Sequence, residues 1–245
     1  MYSNIKLFGA ILKQSWVFCQ KNGLSLAGIP FFYYLFNYFV IKGYWNNDVL
    51  QFRIVSMRPA GLYLFLDAVV MSFMVAATVG YLTALVKKVV FIESKGSSVV
   101  TGGFVDTLFV TVLYVLKTVM WSVLLIIPGL IYAAVHAFGM MSCAVDGYQR
   151  QDALSYSKKL IKPNIHTFLD MTLFLGILVW IGVFSFIKTL DVMMYSVHSL
   201  GYMWLAKGFD MMGVAVVLGA SVFVTVFYYY LYLQFKSRTN NINKE

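Results

Sequence analysis

The stretch Asp106–Val145, DTLFVTVLYVLKTVMWSVLLIIPGLIYAAVHAFGMMSCAV, decides how the rest of the chain is read. Asp106, Lys117 and His136 are its only acidic, basic or imidazole side chains. As one helix it would reach about 60 Å, twice the ~30 Å hydrocarbon core of a bilayer. Pro128-Gly129 is the strongest turn signal inside it. We therefore divide it there into two spans, 106–127 and 130–145, joined as a tight antiparallel hairpin near the external face.

The same pattern extends outward. Of 245 residues, 60% are hydrophobic and 12% charged, about half the charge of an ordinary soluble domain. Most apolar residues fall in runs long enough to cross a bilayer, where about 20 suffice. The chain is thus expected to be an all-α, polytopic transmembrane bundle of six spans, at 24–41, 62–86, 106–127, 130–145, 167–187 and 211–233. Residues 1–233 form one transmembrane domain, and 234–245 a flexible cytoplasmic tail.

Two amphipathic helices are expected at the cytoplasmic interface. One covers 1–22, with Ile5, Phe8, Ile11, Leu12, Trp16 and Cys19 at helical spacing, and ends at Asn22-Gly23. The other carries Ala153, Leu154, Ser157, Leu160 and Ile161, and Pro163 closes it. Lys42–Ala60 reads as an external loop and 87–105 as a cytoplasmic linker. Lys188–Asp210 mixes apolar residues with Asp191, His198 and Lys207. It is read as an external loop with an interfacial or re-entrant helix, the alternative being a seventh span.

Charge orients the bundle. Thirteen basic residues fall on the side of both termini and five on the other, counted from the sequence, so both termini are placed on the cytoplasmic side of the membrane. The net charge of +9 is explained by these loops. No basic helix tracks a phosphate backbone, so nucleic acid is not an expected partner. Cys19 and Cys143 have no disulfide or metal-ligand spacing. Lys6, Lys13 and Lys21 interrupt the N-terminus, which does not read as a cleavable signal. A weak parallel repeat links the segments beginning at Ala10 and Ala153.

Ionisable residues at membrane depth are the functional candidates, because burial there is costly. Lys117, near the middle of its span, is the first, with Asp67 and His136 as companions that would line one cavity. Ion pairing or snorkelling explains Lys117 without function, interfacial placement explains Asp67, and a bond across helices explains His136. His136, His166 and His198 are too scattered for a metal site. No nucleophile elbow or phosphate loop is present, so no cofactor is expected and an enzyme is not the favoured reading.

Ile126-Ile127-Pro128-Gly129-Leu130, continuing through Val145-Asp146-Gly147 to Ala153-Leu154-Ser155-Tyr156-Ser157-Lys158-Lys159-Leu160, resembles an uncharacterised family of bacterial multi-pass inner-membrane proteins. That family is related to the membrane domain of glycerophosphodiester phosphodiesterases. Ser15-Trp16 and Asn22 also look like its N-terminal helix. Lys162-Pro163-Asn164 departs from the Lys-Gly that often follows the helix there. The resemblance implies a six-helix membrane module that anchors, organises or senses, and it transfers no catalytic residue. The expected function is a membrane scaffold or accessory protein, partnered by lipids, a second copy or another membrane protein. The alternative is a small transporter or lipid-handling protein using an intramembrane Lys.

Overall fold

In a bilayer each peptide group must find its hydrogen bond inside its own segment, and apolar runs therefore become helices. The computed structural model describes residues 2–36, 78, 80, 103–124 and 126–242, and these are helical apart from short connections. Helix α1 is Tyr2–Phe36, α2 Phe104–Leu124, α3 Ile126–Val135, α4 Gly139–Asp146 and α5 Arg150–Ile161. A 3-10 turn, Lys162–Asn164, leads into α6, Ile165–Ser199, which is followed by α7, Met203–Ile242.

The six spans expected from hydropathy are corrected. Among the described residues, three helical stretches are long and apolar enough to cross a membrane: Ile127–Asp146, Arg150–Ser199 and Ala215–Thr239. The protein is an all-helical, multi-span membrane protein built on these. The expected span 62–86 and the loop Lys42–Ala60 lie outside the described residues, except for Thr78, which is buried, and Gly80.

The correction has a physical cause: polar residues taken as boundaries are absorbed into helices. Asn22 does not end α1. Its side-chain amide donates to the Phe18 carbonyl at 3.0 Å, and the helix runs on to Phe36. An interfacial helix over 1–22 followed by a separate span is thus replaced by one 35-residue helix.

Lys188–Asp210 is likewise neither a re-entrant loop nor a seventh span. Lys188 pairs with Asp191 at 3.5 Å on the surface of α6, so neither charge interrupts the helix. The chain reverses at Leu200–Tyr202, where Gly201 adopts φ +83°, a conformation glycine reaches without a Cβ clash. The Gly201 and Tyr202 N–H groups donate to the His198 and Val197 carbonyls. The result is a long antiparallel hairpin of 35 and 40 residues, about 52 and 60 Å. The polar segment from Gln234, expected as a loose tail, continues α7 to Ile242, and Phe235 is fully buried.

Helices α2 and α3 do form an antiparallel pair: the Tyr114 hydroxyl donates to the Ala133 carbonyl at 3.0 Å. Yet α2 ends at Leu124 and α3 begins at Ile126, so that Pro128 and Gly129 lie in the first turn of α3. A proline there removes an N–H that has no helical partner in any case.

The chain breaks instead at 136–138, between α3 and α4. Ser157 of α5 splints this break: its Oγ accepts from the Phe138 N–H at 3.0 Å and donates to the Val135 carbonyl at 3.2 Å. Ser142 adds a bond to the Ala153 carbonyl at 2.8 Å. Helix α5 approaches closely because residue 139 is glycine; a Cβ there would lie 2.5 Å from Leu154 Cδ2. The core forms where these elements meet the base of the hairpin. Ile11, Phe138, Met141, Leu160, Met171 and Tyr232 are among its buried side chains.

Ser157→Ala leaves two buried backbone groups unpaired, which costs about 1–3 kcal/mol. Thermal unfolding in mild detergent should show that loss, and the exposed Ser155→Ala should not.

Candidate functional site

The sequence candidates are distributed unevenly. Asp67 lies outside the described residues. Lys117 on α2 and His136 at the α3–α4 break are both half-buried. The positive charges of Lys158 and Lys117 act on the His136 ring, but no hydrogen bond joins Lys117 to His136. The imidazole is held within its own turn, with Nδ1 3.0 Å from the Tyr132 carbonyl and the ring stacked on Tyr132 at 4.1 Å. Among the described residues, no three His, Cys, Asp or Glu side chains sit together as a metal site. Ser142 and Ser157 spend their hydroxyls on backbone carbonyls, an arrangement that braces helices.

The main polar cluster is centred on Asp146, the last residue of α4. Gly147 follows at φ 75° and its N–H donates to the Cys143 carbonyl at 2.9 Å, a left-handed helix cap. The Asp146 carboxylate accepts from the Tyr232 hydroxyl and from Lys236 Nζ, one turn apart on α7. Its side chain is 11% exposed and that of Lys236 33%. A carboxylate at a helix C-terminus faces the negative end of the helix dipole. Lys236 offsets both that repulsion and the burial of the charge.

A groove opens further along α1. At its start α1 runs beside α6: the Asn4 amide donates to Asp170 at 2.9 Å and the rings of Phe8 and Phe174 meet at 5.8 Å. Beyond that point α1 stays on α7, through Trp16 on Phe223, Phe18 on Tyr230, and Leu26 against Val222 and Val226. Helices α1 and α6 therefore part, with α7 as the floor between them. The space between has a volume of about 1460 Å³ and is lined by residues that include Lys13, Trp16, Gly182, Phe186 and Gly219. A Cβ added at Gly182 or Gly219 would meet nothing within 4 Å.

Among the described residues, Lys13 is the one charged side chain lining the groove. Hydrophobic periodicity assigned it to the polar face of an interfacial helix, and no local signal contradicts that. Its place depends on where α1 diverges from α6. The one available hint is the set of glycines in α1, α6 and α7, at positions where no turn requires them. Lys117 does not line the groove.

No known protein family, curated protein or solved structure matches the chain. The reading of these sites accordingly rests on their geometry.

Removing Lys236 strands the largely buried Asp146 charge. Lys236→Met should destabilise the protein by about 2–3 kcal/mol, below the cost for a fully buried pair because Lys236 is partly solvated. Asp146→Leu combined with Lys236→Met should recover part of that loss. A double-mutant cycle on unfolding in detergent measures both.

Proposed function

We propose that this membrane protein handles lipid and that the groove between α1, α6 and α7 is its lipid-binding element. The volume of the groove carries the reading. At about 1460 Å³ it exceeds the roughly 300–1,000 Å³ of pockets for small solutes. It follows α7 from Met212 to Phe223, a rise of about 16 Å. That is close to half of the ~30 Å hydrocarbon core, the depth of one leaflet. Its apolar walls suit acyl chains and offer a polar solute little to bind.

Orientation follows from charge. Lys158, Lys159, Lys162, Lys236 and Arg238 lie toward the base of the α6–α7 hairpin, with Lys188 and Lys207 toward its tip. The base is the cytoplasmic side by the positive-inside rule, in a bacterial inner membrane. The resemblance carried by 126–130 and 145–160 implies a membrane module. Among the described residues the groove is open and apolar, which supports lipid handling over scaffolding.

Leucines at 182 and 219 would project into the groove, since among the described residues a Cβ at either glycine meets nothing within 4 Å. Native mass spectrometry of wild-type protein from mild detergent should show one retained phospholipid. Gly182→Leu/Gly219→Leu protein should lose it while its thermal transition is unchanged. Equal retention by a stably folded double variant would remove the proposal.

A further inference from the structure

We infer that the groove selects an acidic glycerophospholipid, with Lys13 Nζ placed against the headgroup phosphate. This deepens the lipid-handling reading and rests on it. Lys13 lies between Phe8, which meets Phe174 and Phe227, and Trp16, which meets Phe223. It is therefore level with the part of α6 near Leu178, which also lines the groove. Leu178 is thirteen residues beyond the start of α6 at Ile165, about 20 Å along its axis. Around it α6 reads Phe174-Leu-Gly-Ile-Leu-Val-Trp-Ile-Gly-Val-Phe184, with no charge.

An ammonium at that level requires an anion, or a path to water for its tip. Among the described residues no carboxylate pairs with Lys13 and no acceptor takes its hydrogen bonds. Lys13 is exposed, so its tip is free to meet a ligand. The same chemistry selects the headgroup. A phosphate with one net negative charge balances one lysine. A zwitterionic headgroup brings an additional cation, and among the described residues no acidic side chain lines the groove to receive it.

The test uses the full chain in mild detergent, delipidated and then offered equimolar phosphatidylglycerol and phosphatidylethanolamine with identical palmitoyl and oleoyl chains. Native mass spectrometry reads the ratio bound. Wild-type protein should favour phosphatidylglycerol about tenfold, because both headgroups offer the phosphate to Lys13 and only phosphatidylethanolamine brings a second cation beside it. Lys13→Arg should keep that preference. Lys13→Gln should take up both lipids equally, with an unchanged thermal transition. No preference in the wild type, or one that survives in Lys13→Gln, overturns the headgroup assignment. If the leucine-filled variant nevertheless loses both lipids, the groove itself still stands as the lipid site. If that variant binds both lipids as the wild type does, the groove reading falls and this inference with it.

Discussion

The Asp146 carboxylate ties the two parts of the described fold together. On one side are the short elements α2 to α5, and on the other the long α6–α7 hairpin. Lys236 and Tyr232 reach Asp146 from α7, and the rings of Phe168, Tyr232 and Phe235 close edge-on around Phe138 just beside it. In water, burying those rings would hold the parts together without help. In a membrane, lipid tails solvate them nearly as well, and packing and polar bonds must define the contact. One aspartate at the end of α4 thus determines where the short helices sit along α7. Helix α1 then lies on α7 beyond the same contact, with Ile11 in the shared core.

This tie works only because α4 ends where it does, and the break at 136–138 arranges that. A helix continuous from Ile126 to Asp146 would leave no free groups for α5 to bond. The break exposes the Phe138 N–H and the Val135 carbonyl, and Ser157 takes both. Gly139 admits Leu154, and Gly147 turns the chain after Asp146. Ser157, Leu154, Gly139, Asp146 and Gly147 thus act together at this junction. Each has a structural task in this fold. A motif of caps, close approaches and one tethering charge says much about architecture and little about chemistry.

What the sequence made legible follows the same division. Helical class and membrane residence were readable, because apolar run length is a local property; the turn placed at Pro128-Gly129 was not, since both residues lie within α3. Helix ends were not. Asn22 caps back onto Phe18, and Lys188 finds Asp191 one turn away, so a polar residue marks an end only when nothing nearby satisfies it. Lys117 and His136 were singled out by depth in an apolar run, which hydropathy measures. Their half-buried places on one helix pair depend on packing, which hydropathy does not measure. Lys13 was hidden for a stronger reason: neither its spacing nor its neighbours in sequence reveal that α1 leaves α6 after Phe8.

The glycines show why that divergence matters. Glycine in a membrane helix commonly serves close approach between helices, and Gly139 does this against Leu154. Gly9, Gly23, Gly182 and Gly219 do not, because a side chain at any of them would meet nothing within 4 Å. All four line the groove. In an exposed helix each would lower stability by about 1 kcal/mol relative to alanine, so their contribution here is the space they leave. In water such a space would drive collapse or association. In a bilayer, on the lipid-handling reading proposed here, acyl chain would occupy it and complete its packing.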